Sequence, residues 1–294
     1  MEEQTCYYHR LTNEERTLAA NIHPTAVVEP GAKLGKEITV GPFAYIQDDV
    51  EIGDRCVIGP HVSLLRYTRL GENCRVHSGA TLGDLPQDVA FKDEESYVRI
   101  GDNCTIREGV TIHRGTKAGT LTEVGRDCLL MAYSHLAHNV KVGNKVIISN
   151  GALLAGYAEV GDRVFISGNC LVHQFTRIGR LAMLSGGTAI QKDVPPFCIT
   201  RSMCSNTVMG LNVVGLRRAG YTSEERLYLK RALRALYRSD ITVSQAVNRI
   251  EAEFSSALVG ELCEFVKDSK RGICKFVKGS KGEPALFGNS PEET

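Results

Sequence analysis

An aliphatic residue recurs at every sixth position from Ile22 to Ile190, and this period limits the possible folds more than any other feature of the chain. Of the 29 positions in this phase, 26 are Ile, Leu or Val, and the exceptions are Asp88, Glu94 and Ala118. An amphipathic helix has a period of about 3.6 residues and cannot keep this phase. A plain strand has a period of two and would also place apolar residues between these positions.

The residues on either side of each aliphatic position are not equivalent. A small residue usually stands two positions before it: Ala26, Ala32, Ala44, Val62, Thr68, Ala80, Val110, Ser134, Ala152 and Thr188. A turn-forming residue usually stands two positions after it: Pro24, Pro30, Pro42, Asp54, Pro60, Asp102, Asn144, Asn150, Asp162 and Gly168. Each hexad therefore predicts a short strand and a turn, and stacked hexads of this kind predict a parallel β-helix.

The ten cysteines form no CxxC pair that would indicate a zinc or redox site. Half of them occupy the small interior position of the hexad: Cys56, Cys74, Cys104, Cys128 and Cys170. We interpret these five as fillers of a narrow core, with free thiols in a reducing compartment. The pattern assigns no place to the others: Cys6, Cys198, Cys204, Cys263 and Cys274.

Two polar stretches interrupt the repeat, residues 84–98 and 114–123, and we predict that both leave the coil as loops. Loops on a rigid scaffold often carry function. The β-helix itself is predicted to span residues 22–196, after an N-terminal extension of residues 1–21.

Helical signals begin after the hexads end. Capping boxes at TSEE (222–225) and TVSQ (242–245) each predict the start of a helix. We therefore predict a connecting segment at 197–220, an α-helical domain at 221–278 and a tail at 279–294.

Charge is distributed unevenly along the chain. The net charge of +1 predicts neither nucleic acid nor a membrane surface as a partner. The charged N-terminus lacks the apolar run of a signal peptide, and no apolar stretch is long enough to span a membrane, so we expect a cytoplasmic location. Residues 215–282 contain 14 Lys and Arg against 8 Asp and Glu. This basic helical region is either a solvated face or a surface for an acidic partner.

The segment HLAHNVKVGN (135–144) contains two histidines three residues apart. If three hexads close one coil, residues 18 apart lie directly above each other, about 4.8 Å apart. The corner position of His138 is then followed by Gly156 in the next coil and by Gln174 in the one after, with His173 beside it. These residues form one outward column.

Three interpretations of the histidines are open. The first is an exposed histidine at a coil edge. The second is a zinc site built from His113, His135, His138 and His173, which would need three converging ligands. Because residues three apart on a strand point in opposite directions, we expect His135 and His138 to diverge, which disfavours zinc.

The third interpretation is general-base catalysis. A neutral imidazole at His138 can take a proton from a sugar hydroxyl, which then attacks an acyl carbonyl. The backbone N–H of Gly156 is placed to stabilise the resulting oxyanion, and a glycine allows close approach. Since the column contains no Ser or Cys nucleophile, direct transfer is favoured over a covalent intermediate.

Seven segments between about His23 and Ile273 carry a resemblance to a known family: IHPTAVVEPGA, GDLPQDVAF, VTIHRGT, HLAHNVKVGN, LVHQFTRIG, KDVPPF and SKRGI. Many acyl- and nucleotidyltransferases share hexads, whereas IHRGT, HxAH and HQF in this order are specific. The chain closely resembles the UDP-N-acetylglucosamine O-acyltransferases that use acyl carrier protein in the first step of lipid A biosynthesis.

The resemblance implies a homotrimer of left-handed parallel β-helices, each with a small C-terminal α-helical domain, and active sites between subunits. It implies transfer of a (R)-3-hydroxyacyl group to the 3-OH of the UDP-sugar nucleotide UDP-N-acetylglucosamine. The donor is carried on the phosphopantetheine of acyl carrier protein, and no metal or other cofactor is implied. Acyl carrier proteins are acidic, which would explain the basic helical domain.

The resemblance also implies roles for individual residues. His138 matches the general base, Gly156 the oxyanion donor, and Gly186 a position that limits acyl length and here leaves room for a longer chain. Substrate contacts are implied at Asp88 (sugar), His135 (phosphates), Asn139, His173 and Gln174 (sugar and acyl region), and Asn212 and Arg218 (nucleotide, from an adjacent subunit).

Five residues depart from the family pattern: Ala90 for a lysine, Asn139 for an aspartate, Tyr157 and Cys204 for histidines, and Val214 for an acidic residue. They surround the sugar, so an alternative acceptor is a 3-amino sugar nucleotide or another UDP-sugar.

Three rival functions were weighed. One is the N-acyltransferase of the same pathway, whose extra N-terminal uridine-binding domain is too large for residues 1–21. The others are a zinc-dependent β-helical carbonic anhydrase and a non-catalytic scaffold.

Overall fold

The computed structural model describes residues 21–238 and 241–277. The predicted tail, and all but the last residue of the predicted N-terminal extension, lie outside the described residues. Within the described chain, short strands form three sheets that face one another as a triangular prism, and four helices follow.

The strands follow one another around the prism, one sheet after the next. The first sheet contains β1 (Asn21–Ile22), β4 (Thr39–Val40), β7 (Val57–Ile58), β10 (Arg75–Val76), β13 (Thr105–Ile106), β16 (Leu129–Leu130), β19 (Ile147–Ile148), β22 (Phe165–Ile166), β25 (Met183–Leu184), β27 (Cys198–Thr200), β28 (Thr207–Leu211) and β29 (Lys275–Phe276). The second contains β2 (Val27–Val28), β5 (Tyr45–Ile46), β8 (Ser63–Leu64), β11 (Thr81–Asp84), β14 (Thr111–His113), β17 (His135–Leu136), β20 (Leu153–Leu154), β23 (Leu171–Val172) and β26 (Ala189–Ile190). The third contains β3 (Lys33–Leu34), β6 (Glu51–Ile52), β9 (Thr68–Leu70), β12 (Tyr97–Ile100), β15 (Leu121–Val124), β18 (Lys141–Val142), β21 (Glu159–Val160) and β24 (Arg177–Ile178).

Parallel pairing between coils follows the predicted register. Leu136 pairs with Leu154, 18 residues later, which confirms that three hexads close one coil. Across the first loop the spacing is 30 residues, from Val76 to Ile106, and across the second it is 24, from Ile106 to Leu130. The loops therefore add 12 and 6 residues, which are whole hexads, and the aliphatic phase survives both insertions.

Both loops are shorter than the sequence predicts. Strands β12 and β15 begin inside the predicted ranges, so the segments that leave the coil are 85–96 and 114–120. The difference arises because Val98 and Thr122 fill the core and are fully buried, although charged residues, Arg99 and Glu123, follow them.

Arg114 holds the first loop against the coil. Its guanidinium donates to Asp93 Oδ1 at 3.0 Å and to the Glu94 carbonyl at 3.1 Å. The same group lies over the rings of Tyr67 and Phe91, at 5.4 and 5.2 Å from their centroids. Because the Arg114 side chain is almost completely buried, this clamp gives the loop a defined position on the helix surface.

The interior cysteines occupy the core as predicted, with their thiols free. Four of the thiols donate to glycine carbonyls of the following coil, as Cys56 does to Gly71 at 3.0 Å. The fifth, Cys170, donates to the Ser185 carbonyl at 3.2 Å. A thiol at this position therefore fills space and satisfies its donor within the coil stack.

Corner residues adopt an unusual backbone conformation. Asn139, Tyr157 and Phe175 have φ values of 60°, 60° and 61°. This is the left-handed region, which residues other than glycine and asparagine rarely adopt. Hydrogen bonds between coils hold these corners, from Tyr157 N to the His138 carbonyl and from Phe175 N to the Gly156 carbonyl, each 3.1 Å long. The three side chains consequently form a second outward column beside the column of His138.

The helices are α1 (Val213–Arg218), α2 (Ser223–Arg238), α3 (Val243–Glu253) and α4 (Ala257–Lys267). The capping boxes correctly predict α2 and α3, and the Thr242 box forms both of its hydrogen bonds. Helices α1 and α4 were not predicted from the sequence. Ser256 at the N-cap of α4 makes no side-chain capping bond, so the usual start signal is absent there. The chain after α4 returns to the coil, where β29 pairs with β28.

Arg180 joins the last coils to the helices. Its guanidinium donates to both carboxylate oxygens of Glu261 in α4, with a shortest contact of 2.6 Å, and to the Tyr221 hydroxyl at 2.9 Å. The guanidinium also lies over the Phe197 ring, 5.1 Å from its centroid. A partly buried bidentate ion pair of this kind is stronger than an exposed pair.

Glu261→Ala should destabilise the protein by about 1–3 kcal/mol, because it leaves the Arg180 guanidinium partly buried without its carboxylate. Glu251→Ala is the matched control: Glu251 pairs with Lys267 at 2.6 Å on a more exposed surface. The control should cost about 0.5 kcal/mol or less. Urea unfolding followed by circular dichroism compares the two, and equal losses would contradict this role of Arg180.

Candidate active site

The upper coils of the second sheet carry a cleft on their outer face. Its volume is about 520 Å³. The lining residues are Gln87, His135, Ala137, His138, Leu153, Leu154, Ala155, Gly156, Leu171, Val172, His173, Gln174, Ala189, Ile190 and Gln191. Exposed Leu153 and Leu171 form its apolar floor, and the histidines lie toward the corner with the third sheet. The cleft therefore combines an apolar wall with a cluster of polar groups, as small-molecule sites do.

The imidazole of His138 packs directly on Gly156 of the next coil. A Cβ atom at Gly156 would lie 2.6 Å from His138 Nε2 and 2.9 Å from Nδ1, closer than van der Waals contact allows. The corner therefore requires glycine opposite this ring. The column predicted from the 18-residue period is confirmed for these two residues.

The Gly156 N–H faces no hydrogen-bond acceptor within the described part of the chain. Backbone N–H groups at this position of the hexad take no part in the hydrogen bonds between coils. Proline, which has no N–H, therefore occupies the same position at Pro42 and Pro60. At Gly156, however, the available N–H lies beside an imidazole in an open cleft. A donor of this kind can stabilise an oxyanion that forms next to a general base.

His138 is bonded to the side chain that follows it. Its Nδ1 lies 3.1 Å from Asn139 Oδ1. The same oxygen accepts the backbone N–H of Thr116 at 3.1 Å and the Thr116 hydroxyl at 3.0 Å. Thr116 belongs to the second loop, so this loop reaches the site through Asn139.

His135 points into the same cleft as His138, which corrects the expectation that the two diverge. The reason is that β17 ends at Leu136, so His138 already lies on the corner and not on a strand. His135 Nδ1 bonds to the Thr111 hydroxyl at 2.7 Å, and its ring meets the His113 ring edge-on at 4.9 Å.

Burial keeps these two inner histidines neutral. It lowers the pKa of His135 to about 4, with a further contribution from His113. Burial is also the main cause that lowers the pKa of His113. A neutral His135 lines the cleft as a hydrogen-bonding side chain and does not carry a fixed positive charge.

The first loop contributes Gln87 to the cleft lining. Gln87 was not predicted from the sequence, although its neighbour Asp88 in the same segment, GDLPQDVAF, was. The Asp88 carboxylate accepts the N–H of Ala90 at 2.9 Å and shapes a turn within the loop. Contact between Asp88 and a sugar stays a prediction.

The returning C-terminal segment brings a cation to the rim. Arg271 Nε donates to the Gln191 carbonyl at 2.9 Å, and Nη2 lies 3.4 Å from His173 Nδ1. His173 and Gln174 both line the cleft, as predicted from their column. Arg271 was not predicted as a site residue, because 98 residues separate it from His173 in the sequence.

Three predicted residues lie away from this cleft. The Asn212 side chain is buried at the N-cap of α1, where it accepts from Gly215 N at 3.0 Å and donates to the Leu181 carbonyl at 2.8 Å. Arg218 is exposed in the last turn of α1. Gly186 lies at the opposite corner of the second sheet, where an added Cβ would meet a single atom, the Gly168 carbonyl oxygen, at 3.8 Å.

A second cavity, of about 780 Å³, lies on the other side of the His138 corner. Tyr157 and Phe175 stack on its wall with ring centroids 4.8 Å apart, and Asn139 lies beside them. Two of the departures from the family pattern, Asn139 and Tyr157, border this cavity and also contact the His138 ring. This corrects the expectation that the departures surround the sugar and not the proposed base. Of the others, Ala90 and Val214 are exposed and Cys204 is half-buried.

Within residues 21–238 and 241–277, no three His, Cys, Asp or Glu side chains are grouped as a metal site requires. No helix in this part of the chain is long and apolar enough to cross a membrane.

Comparison with known proteins places this site in a class. The six-repeat description of bacterial transferase hexapeptide proteins matches residues 31–66, 49–84 and 122–156, so the coil is that of the hexapeptide-repeat transferases. The description of domain 2 of UDP-N-acetylglucosamine O-acyltransferase matches residues 193–274. Together with the relatives described next, these matches show that the chain belongs to the UDP-N-acetylglucosamine O-acyltransferase family.

An acyl-[acyl-carrier-protein]–UDP-N-acetylglucosamine O-acyltransferase from a Sulfurihydrogenibium species is 51% identical over 255 residues, which cover 86% of this chain and 93% of the relative. The enzyme of the same name from Trichlorobacter lovleyi is 49% identical over 257 residues, covering 86% and 98%. The crystal structure of the UDP-N-acetylglucosamine acyltransferase from Bacteroides fragilis has a TM-score of 0.82 at 39% identity, covering 85% and 98%. The predicted left-handed parallel β-helix with a C-terminal helical region is confirmed.

Gly156→Ala should reduce acyl-transfer activity by about 100-fold or more, because the added methyl group displaces the His138 ring and narrows the space above the N–H. Gly260→Ala is the control, since an added Cβ there meets nothing within 4 Å. Thermal unfolding of both variants shows whether the fold is intact. Gly156→Ala activity within a few-fold of wild type would contradict the assigned geometry.

His135 should make the protein less stable in mild acid. Its pKa is about 4 when folded and 6.5 as a free side chain, so the unfolded chain binds more protons between these values. The free energy of unfolding therefore falls as the pH drops from 6.5 toward 4. His135→Gln should remove about 1 kcal/mol of this loss at pH 5, allowing for solvent screening. Unfolding curves at pH 5 and pH 8 test this, and parallel pH profiles for both proteins would refute it.

Proposed function

We propose that this chain transfers a (R)-3-hydroxyacyl group from acyl carrier protein to the 3-OH of UDP-N-acetylglucosamine, the first step of lipid A biosynthesis. The observation that carries the proposal is the His138 imidazole packed on the Gly156 backbone inside an apolar-walled cleft. Membership of the family and the names of the relatives support the substrates.

The reaction needs two groups at the reacting carbon. His138 Nε2 takes the proton of the 3-OH as the oxygen attacks the thioester carbonyl. The Gly156 N–H stabilises the oxyanion of the tetrahedral intermediate. The intermediate then expels the phosphopantetheine thiolate, and the imidazolium returns its proton to that sulfur. The products are the sugar ester and free phosphopantetheine thiol, and His138 is neutral again.

The acyl tail needs an apolar surface next to the reacting carbon. Leu153 and Leu171 supply one along the second sheet, and both are exposed in the single chain. Beyond them lies Gly186, where the space left by a missing side chain would admit a longer tail.

Trimer formation is part of the proposal, and the outer faces of the three sheets support it. The third sheet is charged along its length, with ion pairs between coils such as Lys33–Glu51 at 3.0 Å and Arg99–Glu123 at 3.5 Å. The first and second sheets present aliphatic and aromatic residues in their upper coils: Leu129, Ile147, Phe165, Met183, Leu153 and Leu171. Two apolar faces and one charged face suit a parallel trimer with the charged face in solvent. The cleft of one chain would then be completed by α1 of the next, where Arg218 is exposed and the buried Asn212 side chain caps the helix.

Acyl carrier protein is proposed as the donor because it is acidic and the helical region is basic. Helices α1 and α2 carry several basic residues: Arg217, Arg218, Arg226, Lys230, Arg231 and Arg234. Complementary charge of this kind increases the association rate and orients the partner. The cytoplasmic location expected from the sequence stays a prediction.

The alternative acceptor is a different UDP-sugar, such as a 3-amino analogue, because Asn139 and Tyr157 depart from the family pattern next to His138. An assay separates the two: mass spectrometry of reactions containing UDP-N-acetylglucosamine or its 3-amino analogue with hydroxyacyl carrier proteins of several chain lengths. An ester product identifies the proposed acceptor, and an amide product identifies the alternative. Stoichiometric zinc in the purified protein, with no acyl transfer, would favour the carbonic anhydrase interpretation.

His138→Ala should reduce turnover by about 100- to 10,000-fold while the trimer stays folded, because a general base contributes this much. The same mass-spectrometric assay measures the loss, and sedimentation confirms the assembly. His23→Ala, at an exposed position near the start of the coil, is the control. His138→Ala activity within a few-fold of wild type would mean that another group is the base, and unchanged function throughout would favour the scaffold interpretation.

A further inference from the structure

The two loops that leave the coil are bonded to each other. The carboxylate of Glu94 in the first loop accepts the backbone N–H of Ala118 in the second loop at 2.5 Å. The buried Ser96 hydroxyl donates to the Gly115 carbonyl, also at 2.5 Å. Glu94 and Ala118 are two of the three positions at which the hexad phase lacks an aliphatic residue. Both lie outside the coil, where they meet each other.

The second loop attaches this pair of loops to the coil. The Thr116 N–H donates to the Asn139 side chain of the next coil at 3.1 Å. Arg114, the first residue of the second loop, donates to the Glu94 carbonyl at 3.1 Å, and its guanidinium lies over the Phe91 ring. The returning half of the first loop is therefore held by the second loop and not by the coil alone.

The outgoing half of the first loop carries the residues nearest the cleft. Gln87 lines the cleft, and the Asp88 carbonyl accepts the N–H of Phe91 at 3.0 Å. Val89, at the tip of this turn, is fully exposed. Since Phe91 closes the turn and packs under Arg114, the position of Asp88 depends on contacts that the returning half makes.

We propose that Glu94 is a positioning residue, whose bond to Ala118 joins the two loops into one unit and holds Gln87 and Asp88 where the sugar nucleotide binds. This inference rests on the proposed function, in which the cleft takes UDP-N-acetylglucosamine. If the loop is in place in only a fraction of molecules, the apparent dissociation constant rises by the inverse of that fraction. Once bound, the acceptor itself holds the loop, so the turnover number changes little.

Two variants remove the bond between the loops from opposite sides. Glu94→Ala deletes the acceptor, whereas Ala118→Pro deletes only the donor. The Thr120 N–H donates to the Lys117 carbonyl at 3.0 Å and Gly119 has a φ of 71°, so this turn is of type II. Ala118 is the second residue of the turn, where proline is favoured. Ala118→Pro should therefore keep the shape of the second loop.

Hydrogen–deuterium exchange measures the coupling without any substrate. Ala118→Pro changes the second loop, yet the amides of the first loop, residues 85–96, should exchange about 10-fold faster than in wild type. Asp48→Ala is the control, because the Asp48 carboxylate accepts a backbone N–H, that of Gly31, at 2.7 Å on a lower coil. It should leave exchange in the first loop unchanged. Wild-type exchange of the first loop in Ala118→Pro overturns the proposal.

Steady-state kinetics measure the consequence for the acceptor. Glu94→Ala and Ala118→Pro should raise KM for UDP-N-acetylglucosamine about 10-fold, with kcat and KM for the acyl carrier protein within about two-fold of wild type. Glu94→Gln should restore KM, because its amide oxygen accepts the same N–H. Asp48→Ala should leave KM unchanged.

A merely structural role for Glu94 would lower the thermal stability of Glu94→Ala and leave KM at its wild-type value. An unchanged KM therefore overturns the proposal, even where exchange in the first loop is faster. A Glu94→Gln variant with a KM as high as that of Glu94→Ala overturns it too, since the accepting oxygen is then not what matters.

This proposal and the proposed function fail in different experiments. Loops that exchange independently overturn the coupling, even if His138→Ala is inactive and wild type transfers the acyl group. Conversely, a wild-type protein that transfers no acyl group to UDP-N-acetylglucosamine overturns the proposed function and the role of Glu94 toward this acceptor. The exchange experiment then still decides whether the second loop holds the first.

Discussion

Parallel pairing between residues 18 apart is the constraint on which the rest of this structure depends. Each coil repeats the conformation of the coil below, so a column of equivalent residues is separated by a single inter-strand distance. His138 and Gly156 meet for this reason, with no loop or hinge involved. The proposed base and oxyanion donor are therefore positioned by the hydrogen bonds that hold the fold together, which gives the cleft the rigidity that the proposed catalysis needs.

The corners between the sheets carry the polar side chains of the candidate site. A left-handed residue at each turn directs consecutive side chains to different sides of the edge, so His138 faces the cleft and Asn139 faces the second loop. The loops add whole hexads, and the core register above and below them is undisturbed. Gln87 and Thr116 can thus reach the cleft or its supporting network from inserted segments without any cost to the packing of the aliphatic columns.

Charged and apolar residues lie on different outer faces of the coil. The outer face of the third sheet is a ladder of opposite charges, whereas the cleft on the second sheet has buried neutral histidines and an apolar floor. Low polarity in the cleft strengthens each remaining hydrogen bond, including the one that orients His138. Arg271 places a cation at the rim of the cleft, beside His173.

The sequence by itself determined the coil, because one aliphatic phase over 29 positions admits no other regular structure, and that period sufficed to predict the column of His138, Gly156 and Gln174. It also determined α2 and α3, whose capping boxes are local. Only the tertiary structure decided which face His135 takes, that Thr116 and Gln87 come to the site, and that α4 and Arg271 return to the last coils. The physical reason is the sequence distance over which the deciding contacts act. The repeat is a local pattern present in nearly every hexad, whereas the positions of a corner side chain, an inserted loop and a returning chain depend on contacts between residues far apart in sequence.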